Sequence, residues 1–304
     1  MSKKRAHAAG HFEVTIDGHP SNTYIRSVEG GFARASPVEE PTGHELHKIK
    51  HTSTLEVDPI SMEVGLAETS QILLWIQSSW RREWSRRDGQ IVHADFDLDS
   101  TFLHEWYRAL IMETTFPALD GASKEAAYLK VKIQPEQVKF GRHGGNKIHG
   151  KTNNKQKMWI SSAFRLTIEG HDVGQTNKIE SFTIKQGVKK HHYGAHRLPT
   201  VEPTKIEFPN LVGTMSMTAA DELIAWYNTA VLSGSDEQEL TTGCLEFLTP
   251  DRSQTIFKID LKDVGIHHVE VARSDANADQ IKRVKYELFV GSMDLVGSGG
   301  LGLE

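Results

Sequence analysis

One peptide occurs twice in this chain. Residues 12–19 read FEVTIDGH and residues 164–171 read FRLTIEGH, so the template F-x-[VL]-T-I-[DE]-G-H returns 152 positions on, half-way through 304 residues. A repeat of that period restricts the fold to one unit used twice. The match continues beyond the motif: TYIRSVEGGFARA (23–35) follows the first copy and NKIESFTIKQG (177–187) the second. Each half then carries one helical pattern. Ile72, Leu73, Ile76, Trp80 and Trp84 form an apolar stripe, and Leu223, Ile224, Tyr227, Ala230 and Val231 form another. Thr218, three residues ahead of Asp221, is the expected N-cap of the second helix.

Strand-like text closes both halves: QIVHADFDL (90–98) against GCLEFLTP (243–250), and YLKVKI (128–133) against VKYELFV (284–290). Each half therefore reads strand, strand pair, helix, then further strands, which is antiparallel β with one helix rather than alternating βαβ units. Alternation in FEVTI and LKVKI predicts sheets with one wet face. Pro59 inside the stretch His51 to Val64 predicts an edge or bulged strand.

Residues 140–158, FGRHGGNKIHGKTNNKQKM, hold five Lys/Arg and no acid, which is linker composition. The expected organisation is a first domain over 1–139, a basic linker over 140–158, a second domain over 159–296 and a flexible tail over 297–304. Within the linker, Gly145 to Thr152 spell the P-loop pattern G-x-x-x-x-G-K-[ST]. A working P-loop joins a parallel strand to a helix whose first amides hold phosphate. Here NNKQKMW follows, a poor helix start, so a basic linker is the better reading.

WRREWSRR (80–87) interleaves aromatics with cations, a combination suited to single-stranded nucleic acid. The formal charge of −5 argues against that partner and favours a protein surface. Arg81, Arg82, Arg86, Arg87, Lys147 and Lys151 are the expected partner-contact residues. Asp95, Asp97 and Asp99 would share one face of a strand, able to attract calcium but more simply a wet face. Neighbouring histidines in the pairs His191-His192 and His267-His268 would point to opposite faces, so neither pair chelates alone. The single cysteine, Cys244, precludes an internal disulfide and reads as a small, half-buried strand residue. No nucleophile elbow or Ser-His-Asp order occurs, so no catalytic, cofactor-binding or metal residue is assigned. No apolar run reaches the ~18 residues that cross a bilayer, and MSKKRAHAAGH lacks the apolar core of a secretory signal. Synthesis in the cytoplasm and no membrane partner are expected.

The repeated unit resembles the tail tube proteins of contractile phages and phage-like contractile injection systems. The likeness is carried in the first half by FEVTIDG, SVEGG, the helix centred on Trp75 and TTFPALDGAS. FRLTIEGH, IESFTIKQG, TKIEFPNLVG and the helix around Trp226 carry it in the second. The resemblance implies a mainly β (α+β) fold, as two tandem antiparallel β-sandwich or barrel domains, each flanked by one α-helix. It implies a structural, non-enzymatic role: rings that stack around a channel in a virion tail or an injection particle. The partners implied are copies of itself, sheath and baseplate proteins, and DNA or protein cargo. The family member is normally one domain, so a tandem pair makes a pseudo-sixfold ring from three chains, or a double-height unit from six. A linker of nineteen residues spans ~60 Å when extended and permits either. Main tube, baseplate tube-initiator and adaptor remain alternatives, as do nucleotide or nucleic-acid binding.

Overall fold

Both copies of the repeated peptide form a strand that ends in a left-handed turn. In the first, Val14 and Ile16 point into the core, and Asp17 and Gly18 then take φ of 49° and 78°. In the second, Leu166 and Ile168 are buried and Gly170 takes φ 79°. Glycine adopts this conformation at little cost, which accounts for the shared Gly in the motif.

A computed structural model describes residues 10–21, 24–41, 48–65, 71–148, 159–194, 197–233, 240–272 and 282–297. The first half runs β1 (His11–Ile16), β2 (His19–Pro20), β3 (Tyr24–Gly30), β4 (Ala33–Pro41), β5 (Lys48–Val57), β6 (Ile60–Gly65) and α1 (Gln71–Trp80). It continues with β7 (Arg87–Ala94), β8 (Ser100–Phe116), β9 (Leu119–Asp120), β10 (Leu129–Gln134) and β11 (Gln137–Arg142). The second half runs β12 (Phe164–Ile168), β13 (Thr176–Ile179), β14 (Phe182–His191), β15 (Thr200–Glu207) and β16 (Leu211–Ser216). After a 3₁₀ turn (Met217–Ala219) come α2 (Asp221–Tyr227), a π turn (Asn228–Leu232), β17 (Thr241–Leu248), β18 (Thr255–Val271) and β19 (Arg283–Gly297).

The two halves have the same topology. The first sheet is ordered β1-β7-β8-β10-β6-β3 and the second β12-β17-β18-β19-β16-β13, all antiparallel. Even the irregularities repeat. The register shift between Ile25 and Ser27 recurs between Thr176 and Lys178. Those in β7, at Arg87/Gly89 and His93/Ala94, recur in β17 at Thr241/Gly243 and Phe247/Leu248. The residue skipped in β8, Met112, corresponds to His267 in β18. Gly89 and Gly243 also match: a Cβ on Gly89 would meet Trp106 at 2.2 Å and Thr15 O at 2.5 Å, and one on Gly243 would meet Ile168 at 2.5 Å and Thr167 O at 2.9 Å.

Several sequence expectations need correction. Helix α1 stops at Trp80, and Trp84, with φ 50°, lies beyond it rather than on its stripe. Thr218 sits inside the 3₁₀ turn and Ala220 precedes α2, without a side-chain cap. Val231 is exposed. Pro59 does not interrupt one strand but separates β5 from β6. Residues 140–142 of the expected linker belong to β11, and Ile148 is buried against Val92 and Ala94. Residues 149–158 and 298–304 lie outside the described residues.

A continuous hydrophobic core joins both halves. Its crossing point is Phe116 at the end of β8. The ring stacks on Phe182 of β14 at 4.9 Å and 12°, and on Phe247 at 5.4 Å, beside Phe257 and Trp159. A first-half side chain thus completes the second half's aromatic core. Phe116→Ala is expected to cost ~3–5 kcal/mol. Chemical denaturation should show both halves unfolding in one lowered transition.

Candidate assembly interface

Trp84 misses the helix stripe because the chain reverses after α1. Arg82 (φ 62°) and Trp84 (φ 50°) are both left-handed, and Arg81, Arg82 and Glu83 donate backbone N–H to Gln77, Ser79 and Ser78 O. Trp75 Nε1 donates to Ser85 O at 3.0 Å, and the Ser78 and Ser85 hydroxyls pair at 2.7 Å. This folded-back turn fans its arginines toward different parts of the same molecule. Arg81 grips Asp294 of β19 with Nε at 3.0 Å and an Nη at 3.1 Å, and the carboxylate holds the guanidinium above its usual pKa. Arg86 donates to Val201 O at 2.8 Å, and Arg87 to Asp17 at 2.6 Å. Arg82 is exposed.

Glu136 lies between these contacts and is buried. One of its oxygens accepts the Val201 N–H at 3.0 Å and faces Arg86 Nε at 3.5 Å; the other accepts from Arg108 Nε at 2.5 Å. A carboxylate removed from water needs that set of donors and cations. The result ties β11's entrance, the turn after α1 and β15 into one corner.

Beside this corner, the second half adds a strand to the first half's sheet. Along β8, β7 pairs only as far as Ala109; from there β14 takes over, with Phe182, Thr183, Ile184 and Lys185 opposite Phe116, Thr115, Thr114 and Glu113. The Thr115 and Thr183 hydroxyls pair at 2.9 Å. Gln77 of α1, itself buried, donates to Leu295 O of β19 at 2.8 Å, and β9 pairs with β13. The seam is thus strand addition on one flank and a helix end against a strand on the other.

The hairpin equivalent to β14–β15 is β4–β5. It forms a two-stranded sheet by itself, pinned by Lys48 and Lys50 to Glu39 and by Arg34 to Glu56. At its base, His104 Nε2 meets Gly31 O at 2.6 Å and the ring stacks on Phe32 at 5.3 Å. Burial holds His104 and the neighbouring His93 below the ordinary histidine pKa.

Of the expected contact residues, Lys147 reaches Asp97 O at 3.2 Å and pairs in a bridge with Asp99, while Lys151 lies outside the described residues. Asp95, Asp97 and Asp99 do not share a strand face. Asp95 Oδ1 accepts the N–H groups of Asp97 and Asp99 at 3.0 Å each, and Leu98 takes φ 65°, which makes the segment a tight turn. Among the described residues of the P-loop pattern, Asn146 and Ile148 bond Ser100 and Leu98 beside antiparallel strands. His191, His267 and His268 face Glu202, Glu287 and Glu270 separately. Among the described residues no group of three acids, histidines or cysteines could hold a metal ion. Burial pushes the Cys244 thiol up to about 12, so it stays protonated at neutral pH. Glu136, Gln77 and Asp294 gave no sequence signal, because their partners lie far along the chain.

Two outcomes follow from this geometry. Glu136→Ala leaves Arg86 and Arg108 facing each other and should cost ~2–4 kcal/mol, against under ~1 kcal/mol for the more exposed Arg81→Ala. Urea titrations of the two variants would compare them. For the buried rings, a folded-state pKa below the unfolded value of about 6.5 means that the unfolded chain binds the extra protons. Stability should therefore be flat above that pH and fall below it. A double His93→Phe, His104→Phe variant should show a weaker fall in urea midpoints between pH 7 and pH 5.

Residues 8–139 match the family described as T4-like virus tail tube protein gp19. Among solved structures, a chain of the sheath-tube complex of an extracellular contractile injection system (PVC) is similar at 12% identity. That alignment covers 44% of this chain and 89% of the other, with a TM-score of 0.38. A chain of the PVC sheath/tube terminator gives 15% identity, 46% and 99% coverage, and a TM-score of 0.41. Hcp1 from Flavobacterium johnsoniae gives 13%, 45% and 96%, and 0.28. No curated protein sequence matches. The structural likenesses are weak, and the sequence match covers less than half of the chain: residues 8–139 are similar to the tail tube protein family.

Proposed function

We propose that the chain is a tandem duplication of a tail-tube domain that serves as a structural tube component of a contractile tail or injection particle. Three copies close into a pseudo-sixfold ring. The observation that carries this reading is the family match over residues 8–139, combined with the same strand order and the same register shifts in the second half.

Two features favour a single ring over a stack of two. The halves meet by β14 adding to β8, so the second half extends the first half's sheet sideways. A neighbour within a ring makes that kind of contact. Equivalent units with equivalent lateral contacts also close naturally into a cyclic assembly. The channel passes DNA or protein, sheath subunits and a baseplate are the outer and terminal partners, and the chain performs no catalysis. No helix among the described residues is long and apolar enough to cross a membrane.

Negative-stain microscopy with mass photometry tests the proposal. Rings with a central hole and a mass of three 34.0 kDa chains are the expected result. Rings of six chains would replace the single-ring geometry with the stacked one, and a protein that stays monomeric at the highest attainable concentration would overturn self-assembly.

A further inference from the structure

We infer that the contact between chains is a second copy of the seam inside the chain, made by β4–β5 and β11 of one molecule on β18 and the end of the second helix of the next. This inference rests on the ring reading and adds the surfaces and register.

The internal seam takes four pieces. The first half gives the β8 edge at Glu113–Phe116 and the C-terminal end of α1, with Gln77 and Arg81. The second half gives the start of β14 and β19 at Asp294 and Leu295. Each has a counterpart on the opposite half. By matching registers, the β18 residues His268–Val271 stand where β8 has Glu113–Phe116. On that flank β17 covers β18 only as far as Val264, and among the described residues no strand continues beyond it. The start of β14 corresponds to Gly31–Arg34, because the shifts at Gln186/Val188 and Ala35/Pro37 coincide. Lys139 and Phe140 of β11 stand where β19 has Asp294 and Leu295. Val231 and Leu232 end the π turn after α2 where the first half has Trp80, the last residue of α1, and then Arg81.

These counterparts expose apolar surface. Val231, Leu232 at 67% and Val271 at 57% lie on the second-half surface; Phe32, Val38, Ile49 and Phe140 at 56% lie on the first-half surface. Of their equivalents in the internal seam, Trp80, Phe116 and Leu295 are buried, and Arg81 is held by Asp294. Two apolar surfaces on opposite halves, each the image of one side of an existing contact, are fitted to one another. An open sheet edge at His268–Val271 is likewise a template for strand addition. Copying the internal register puts Arg34 opposite His268, Ala33 opposite Val269, Phe32 opposite Glu270 and Gly31 opposite Val271. The contact is heterologous, so it propagates and closes after three chains when each step turns by a third of a circle.

Cysteine trapping tests the register. In a Cys244→Ser background, Ala33→Cys with Val269→Cys places two thiols on directly opposed residues, within disulfide reach. Oxidation should give a ladder ending at a covalent trimer, whereas Ala33→Cys with Thr255→Cys should give none. Rings that form without the cross-link would overturn the seam while leaving the ring reading intact. No assembly in either background would remove both. Leu232→Asp provides the second readout: an unchanged melting temperature with at least a tenfold higher concentration for half-assembly is expected, and unaltered assembly would count against the seam.

Discussion

A sheet edge that ends in solvent leaves a row of unpaired N–H and C=O groups, and this structure is organised around two strands too long for their neighbours to cover. β8 and β18 each have seventeen residues, and β7 and β17 leave them at Ala109 and Val264. Both long strands turn at an equivalent residue with left-handed φ, Arg108 at 54° and Asp263 at 54°. That bend carries the strand's far end into a second layer, where it needs a new partner on one side. For β8 the partner is β14, from the other half of the same chain. Phe116, the last residue of β8, owes its burial to that arrangement.

The same corner shows how the halves differ. Opposite Arg108 the first half breaks its strand at Pro135 and places Glu136 in the gap, so β10 and β11 are separate. Opposite Asp263 the second half has Gly291 and β19 runs on unbroken; a Cβ there would lie 2.8 Å from that of Asp263. Glu136 has a partner across the seam: the Val201 N–H reaches it from the second half, while Arg86 and Arg108 approach it from its own half. The buried carboxylate therefore belongs to the inner contact alone. A buried charge set of this kind is costly unless every member is present, which favours a single partner geometry.

The sequence made the fold class and the shared strand pattern of the two halves readable because both depend on local patterns. FEVTI and FRLTI declare buried faces by alternation, and the glycine after each declares the turn. Trp75 and Trp226 mark matching helices, with both side chains buried. What stayed hidden was tertiary. The cations of WRREWSRR looked free for a partner, but Arg81, Arg86 and Arg87 spend their charge on Asp294, Glu136 and Asp17, between 50 and 213 positions away. Spacing along a chain cannot show such pairings. The aspartates of ADFDLDS misled for the opposite reason: a strong local bond, Asp95 capping its own turn, overrode the alternation that suggests a strand.

In the proposed tandem duplication, joining two domains in one chain changes the assembly more than the fold. In the proposed ring, six similar seams close the circle, and covalent linkage makes alternate ones intramolecular. Their partners then meet at an effective concentration in the millimolar range, so only the outer seams carry the entropy of bringing free molecules together. The inner seam is relieved of any need to form and separate, and it can use a buried carboxylate, Glu136, that accepts the Val201 N–H across the contact, and the Arg81–Asp294 ion pair. The outer seam must stay soluble until assembly. Lys139 replaces Asp294 there, Leu232 replaces Arg81, and no ion pair is carried over, which leaves moderate apolar patches and a short strand edge. An acid-basic lock inside and an apolar, strand-completing contact outside is the division of labour that the two versions of one interface support.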